Sequence, residues 1–414
     1  MAFSSDFSAL RNTLTNRNFA IFTAGNGISL IGNWAQRVAV GWLTWELTHS
    51  AAWLGAVSMA EFLPVIFLAP VTGVLADRFD RRRIAVIGQI LAAMQAFALA
   101  ALTLSGSITP LLLLLLQVFA GVVQPLIQTA RLVLVPTLVP RENVGNAVAV
   151  TALMFNIARV IGPAFAGLLI ATVGVGFAFA VNTTTYIFVI SALMMLKLPP
   201  HQPVPSGGGA LLPGIWADFA EGARYTFTQP TLRWVILLVT AAASLTWPVS
   251  DFLAGVVDQE FDRGVTALAI FTSANGIGAA IGSIYLAQRK HGPGSGTEAI
   301  MIYAVLLNGL FTAAFALTKN FWIAVGMFGL TGLFLLVGGA ASQTVVQTTA
   351  EDHMRGRVLS IWFTLTRIGP AIGALALGVL SNWLGFTAPI CAAGLLTAAA
   401  AIFVWRKERK NIAT

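Results

Sequence analysis

Five charged side chains stand well inside long apolar runs of this chain: Arg37, Glu61, Arg159, Asp251 and Arg367. A charge in hydrocarbon costs about 3 kcal/mol or more unless it is paired or wet, so such groups mark the path of an ion or a polar molecule. In the first run Asn26, Ser29, Asn33 and Arg37 recur every three to four residues and would line one helix face; Thr240, Ser244, Trp247 and Asp251 do the same in the seventh. Two such stripes fit opposite walls of a central cavity, to which Gln124 and Gln128 of the fourth run and Gln343 and Gln347 of the tenth could add hydrogen-bonding groups. For the amides the alternative is hydrogen bonding between helices that only holds a bundle together. Glu61 and Asp251 are the acids well inside the runs, so one of them is expected to carry a proton, with Arg37 at the depth of Glu61 as a possible ion-pair partner. Arg159 and Arg367 stand just before matching Gly-Pro pairs, where they either face an anionic cargo or cap carbonyls freed by a bend.

The elements that position these groups follow from composition. Of 414 residues 57% are apolar and 10% charged, which describes an integral membrane protein. Apolar runs fall at roughly 19–46, 52–76, 84–104, 109–131, 147–172 and 175–196, then at roughly 231–256, 265–288, 298–318, 321–348, 357–381 and 386–405. Each can cross about 30 Å of hydrocarbon as a helix. Residues 1–18 carry no apolar signal core, so the first run reads as a span. Most of the 24 basic residues fall at the chain ends and in alternate loops, which places both termini in the cytoplasm.

The same composition excludes other classes. The net charge of +8 is spread by loop, so it reflects membrane topology and no nucleic-acid partner is expected. A single cysteine, Cys391, rules out a disulfide framework, and His49, His201, His291 and His353 have no ligand spacing, so no metal or other cofactor is expected. With no phosphate-binding loop and no nucleophile elbow, an enzyme is not expected either.

The two halves repeat one another. Arg159-Val-Ile-Gly162-Pro163-Ala in the fifth run returns as Arg367-Ile-Gly369-Pro370-Ala in the eleventh, with Pro370 lying 207 residues after Pro163. Leu75-Ala-Asp-Arg78 returns as Leu286-Ala-Gln-Arg289, 211 residues later. Six spans per copy keep both copies in one orientation, a parallel repeat about an axis along the membrane normal. The expected organisation is an N-terminal six-helix bundle over 1–196, a linker over 197–229 and a C-terminal six-helix bundle over 230–414. The linker opens with Pro199, Pro200, Pro203, Pro205 and three glycines, then carries Trp216, Phe219, Ala223 and Phe227 at helical spacing. That reads as a short helix on the cytoplasmic surface, or as a docking motif for a partner.

One charged turn, Gly73-Val-Leu-Ala-Asp77-Arg78-Phe-Asp80-Arg81-Arg82-Arg83, must lie at the cytoplasmic surface between the second and third spans. Asp77 could pair with Arg131 at the end of the fourth span, making the cluster an inner latch; alternatively its arginines only fix topology.

Twelve spans as six plus six, a long central linker and the G-x-x-x-D-R-x-x-R-R turn resemble the major facilitator superfamily over the whole chain. Asn16-Arg-Asn-Phe19, Ile31-Gly-Asn-Trp-Ala-Gln-Arg37 and Glu61-Phe-Leu-Pro64 are similar to the branch of bacterial enterobactin exporters and macrolide efflux proteins. The resemblance implies an all-α fold of twelve transmembrane helices in two parallel six-helix repeats, and export of a small molecule by alternating access against proton entry. It also implies a cytoplasmic gate of Gly73, Asp77, Arg78, Arg81, Arg82 and Arg131. Gly162-Pro163-Ala-Phe-Ala-Gly167, and with it Gly369-Pro370, is similar to the signature of antiporting members, although close helix packing also explains a Gly-Pro pair. Two departures stand out: Asp80 replaces the usual glycine of the turn, and Leu114-Leu-Leu-Gln-Val-Phe-Ala-Gly121 lacks the arginine expected in the fourth span. A monomer in contact with membrane lipid, at the inner membrane, is expected, with the proton as coupling ion. A lipid or lysophospholipid flippase of the same fold, or proton-coupled uptake, are the alternatives.

Overall fold

The structure, a computed structural model, describes residues 13–78, 80–197, 211–289 and 296–412. Among these residues the regular elements are helical. They are α1 (Arg17–Thr48), α2 (Ala51–Arg78), α3 (Arg81–Leu104), α4 (Pro110–Leu134), α5 (Val144–Val173), α6 (Val175–Met195) and α7 (Leu211–Thr228). There follow α8 (Pro230–Leu245), α9 (Leu253–Phe261), α10 (Val265–Ala287), α11 (Thr297–Leu317), α12 (Phe321–Thr349), α13 (Arg355–Leu384) and α14 (Thr387–Ile412). A 3-10 segment, Trp247–Phe252, joins α8 to α9, so these form one crossing.

Ten helical stretches among the described residues are long and apolar enough to cross a membrane. With α1 and α2 they make the twelve helices of the expected fold. α1 is 32 residues long, and what dilutes its apolar character is the polar set Asn26, Asn33, Gln36 and Arg37. Lipid cannot satisfy backbone groups, so continuous helices are the form such spans must take.

The described chain divides into two compact units. The first holds Met1–Thr48, Leu63–Pro205 and Val265–Ala269; the second holds His49–Phe62, Ser206–Gly264 and Ile270–Thr414. The start of α2 therefore packs with the second unit. Gly55 meets the backbone of Ala374 on α13, Gly378 meets the Ala51 carbonyl, and Ser50 Oγ donates to Asn382 Oδ1 at 3.0 Å. In the same way the start of α10 packs in the first unit, where Gly167 of α5 abuts Ala269. In α2 the change of unit falls at Phe62–Leu63, next to Pro64.

The helix expected in the linker is α7, which packs within the second unit. Phe219, Ala223 and Tyr225 pack against the apolar cluster built on Leu232, Ile236 and Val358, and Glu221 pairs with Arg357 of α13 at 3.0 Å. Phe227 is exposed, and the Trp216 side chain lies outside the described residues.

Candidate functional site

In the first unit the candidate residues converge because α1 and α5 approach closely. A Cβ at Gly162 would stand 2.5 Å from Cβ of Trp34 and 2.9 Å from the Ile31 carbonyl oxygen, so only glycine permits the contact. Pro163 continues the helix beside it. Arg159 lies three residues earlier on the same face of α5, and its guanidinium carbon reaches to 5.7 Å from the Trp34 ring centre. Arg37, three residues after Trp34 on α1, reaches the same ring at 6.0 Å. Phe155 stands edge-on to the indole at 5.6 Å, with planes 69° apart, which fixes the orientation of the ring.

Two arginines thus share one tryptophan, close enough that the charge of Arg37 bears on Arg159. Both stand within 6.0 Å of one ring centre, hence at most about 12 Å apart, where like charges at an effective dielectric near 20 repel by roughly 1.4 kcal/mol or more. Each cation–π contact returns about 0.5–2 kcal/mol. The ring therefore offsets part of the repulsion between them.

The rest of the α1 stripe serves other neighbours. Asn33 accepts a hydrogen bond from the Tyr186 hydroxyl of α6 at 2.5 Å, and Asn26 is buried at a small cleft shared with Gln89 and Arg131. Asn33 is thus an interhelical tie, the alternative kept open for the amides. Sequence reasoning missed Gln36, which accepts from Asn182 Nδ2 at 2.7 Å and donates to Gln95 Oε1 at 2.9 Å. Thr185 donates to Asn182 Oδ1 at 2.9 Å and extends the network along α6. The second unit carries the counterpart. Thr246 donates to Asn308 Oδ1 at 2.7 Å, and Asn308 donates to the Thr331 carbonyl at 3.0 Å. Gln36 and Gln95 link the first and third spans; Thr246 and Asn308 link the seventh and ninth, so the repeat reproduces a polar tie with different residues. Amides inside apolar runs were the signal that could have found them.

In the second unit Pro248 has no N–H to give the Ser244 carbonyl, so α8 stops at Leu245 and the chain passes into the 3-10 segment. The bared Ser244 backbone is where α13 approaches: a Cβ at Gly373 would overlap the Ser244 carbonyl oxygen, and one at Gly369 would overlap its hydroxyl. Pro370 lies inside α13 between these contacts. The 3-10 segment carries Asp251, whose Oδ2 accepts a hydrogen bond from Ser58 of α2 at 2.6 Å. Glu61, one turn further along α2, is half-buried in the same unit, as is Ser244; Trp247 and Arg367 are exposed. Gln124 and Gln343 are half-buried and Gln347 is exposed. Gln128 instead accepts from Arg131 at 2.6 Å, so it braces the end of α4.

The charged turn is only partly described. The side chains of Asp77 and Arg78, like Gly73, lie outside the described residues, and with them the proposed pairing of Asp77 with Arg131. Asp80 has a definite role: its Oδ1 accepts from the Arg83 N–H at 2.9 Å and caps α3, which explains why an acid serves where a glycine was expected. Arg82 turns back to cap α6, donating to the Leu196 carbonyl at 3.2 Å and to that of Met194. Arg81 is half-buried, its Nε atom without a hydrogen-bond partner among the described residues. Replacing Arg82 by alanine (R82A) leaves two carbonyls uncapped and is expected to cost about 1–2 kcal/mol. A lowered midpoint of thermal unfolding in detergent, partly restored in R82K, checks this.

The family described as transmembrane secretion effectors, within the major facilitator superfamily, matches residues 4–412. The chain belongs to that family. It is 27% identical to the multidrug efflux pump Tap of Mycolicibacterium fortuitum, over 96% of this chain and 96% of that protein. It is 28% identical to the enterobactin exporter EntS of Shigella boydii, over 91% of this chain and 88% of that one. Among solved structures it resembles a bacterial homologue of the human lysosomal transporter Spinster, with a TM-score of 0.73 at 14% identity, covering 94% of this chain and 96% of the other. The nucleoside transporter NupG gives 0.73 at 13% identity, covering 94% and 98%. These likenesses establish the shared twelve-helix fold, and the family identifies a multi-pass membrane transporter.

Proposed function

We propose that this transporter exports a small molecule across the inner membrane by alternating access, driven by proton entry, as a monomer with both termini in the cytoplasm. The observation that carries the reading is the placing of charge at mid-span: Arg37 and Arg159 around Trp34 in one unit, Asp251 beside Ser58 in the other. Its relatives, a multidrug efflux pump and an enterobactin exporter, support the direction of transport.

The Ser58 hydroxyl donates to Asp251 and so ties the start of α2 to the 3-10 segment. A proton arriving at Asp251 forms an O–H bond there and weakens that tie; its release on the cytoplasmic side restores it. Cargo bound at the arginines in the proton-poor state would leave as the carboxyl is protonated from outside.

Cells making the protein should accumulate severalfold less of at least one compound in a panel of dyes, macrolides and siderophores, with the difference abolished by a protonophore. Accumulation unchanged for the whole panel, or a difference that survives the protonophore, counts against the reading. Movement of a labelled lysophospholipid instead would point to a flippase.

A further inference from the structure

We propose that Arg233, Trp234, Phe403 and Lys407 form a site for the headgroup of an anionic phospholipid at the rim of the second unit. The two cations stand at the ends of crossings that meet there: Arg233 in the first turn of Pro230–Phe261, and Lys407 one residue before the end of Thr387–Glu408. The rings between them are joined edge-on, Trp234 to Phe403, with centres 5.5 Å apart and planes 73° apart. Arg233 stands over the indole at 4.9 Å, and Lys407 over the phenyl ring at 5.8 Å. A cation–π contact takes up a ring face and uses no N–H donor. Neither cation makes a side-chain hydrogen bond or an ion pair among the described residues. Glu408, the acid next to Lys407, is buried and bears on Glu298 of α11. Arg406, exposed beside Lys407, adds a third positive charge.

The surroundings identify the occupant. Leu396, Phe403 and Lys407 fall at helical spacing on one face of α14, and Leu237 stands one turn beyond Arg233 on α8; these apolar side chains are exposed. A cationic rim above an exposed apolar face suits an amphiphile. Its phosphate oxygens accept from the guanidinium and the ammonium, while its acyl chains lie along Leu237, Phe403 and Leu396. A free phosphate would make no use of that face. The leaflet that supplies the lipid follows from the orientation proposed above: with both termini in the cytoplasm it is the inner one, where anionic lipids concentrate.

The test uses the purified full chain in a neutral detergent, titrated with dioctanoyl phosphatidylglycerol, dioctanoyl phosphatidylcholine and glycerol phosphate and read by native mass spectrometry. Phosphatidylglycerol should bind at least tenfold more tightly than either of the others. R233Q and K407Q should each weaken it severalfold while leaving phosphatidylcholine within twofold. R141Q, at an exposed cation of the first unit, should leave both lipids within twofold. If R233Q fails to elute as a single species, K407Q, at an exposed position, carries the comparison. Equal binding of the two lipids, or a loss in R141Q as large as that in K407Q, overturns the proposal, since charge in general would then suffice. Glycerol phosphate binding as tightly as phosphatidylglycerol overturns the lipid as occupant. A C-terminal tag labelled from outside intact cells would refute the orientation and leave the site standing; a cytoplasmic tag with binding indifferent to headgroup would do the reverse.

Discussion

Membrane vesicles carrying the double variant E61Q and D251N are expected to show no transport driven by a pH gradient above that of vesicles lacking the protein, a loss of at least tenfold. Both acids lie well inside spans, where a carboxylate is retained against a cost of about 3 kcal/mol only if something uses it. The amide keeps size and most hydrogen bonding, so Ser58 can still donate to the carbonyl oxygen of residue 251, but no proton can be taken up. The single variants assign the role: D251N alone should abolish coupling if Asp251 is the carrier, E61Q alone if it is Glu61. Full gradient-driven transport by the double variant would mean that neither acid couples the cycle. Transport down a cargo gradient should survive, which separates lost coupling from lost folding.

A second large effect is expected from one added methyl group. G373A places a Cβ on top of the Ser244 carbonyl oxygen, backbone against backbone, so α8 and α13 must separate along their contact. Overpacking of this kind costs about 3 kcal/mol or more where no flexible side chain can give way. The variant should yield little or no monodisperse protein on size-exclusion chromatography. G339A is the control: a Cβ at Gly339 meets nothing within 4 Å, and alanine in mid-helix should stabilise by about 0.5–1 kcal/mol. If G373A unfolds at the same temperature as G339A, the two helices are not held in contact as described.

Much of the architecture was legible because a membrane permits few solutions. Twenty apolar residues between charged turns can only be a helix, and matching Arg-x-x-Gly-Pro and Arg-x-Gly-Pro fragments disclose the repeat without any structure. The glycines of the Gly-Pro pairs stand where helices meet, Gly162 of α5 against α1 and Gly369 of α13 against α8, with Gly373 one turn on still closer to Ser244. What helical spacing could not supply was the neighbour. Asn33 and Arg37 share a face of α1, yet one meets Tyr186 and the other the Trp34 ring. Spacing fixes an angle about the helix axis, and a helix in a bundle has partners on several sides. Gln36 stands seven residues after Ser29, at the margin of the same stripe, and spacing alone does not disclose that its hydrogen bonds to Gln95 and Asn182 tie three spans. Asp80 looked like a lapse from glycine because its use lies three residues ahead, at the N–H of Arg83.

One helix belongs to both units. Its first twelve residues, Ala51–Phe62, are fastened to α13 through Gly55 and Gly378, and the remainder goes with the first unit. Two residues after the changeover stands Pro64, whose ring withholds the N–H that would have gripped the Ala60 carbonyl. The rod is thus weakened where its loyalties divide, at a turn of α2 where a missing N–H makes bending cheap.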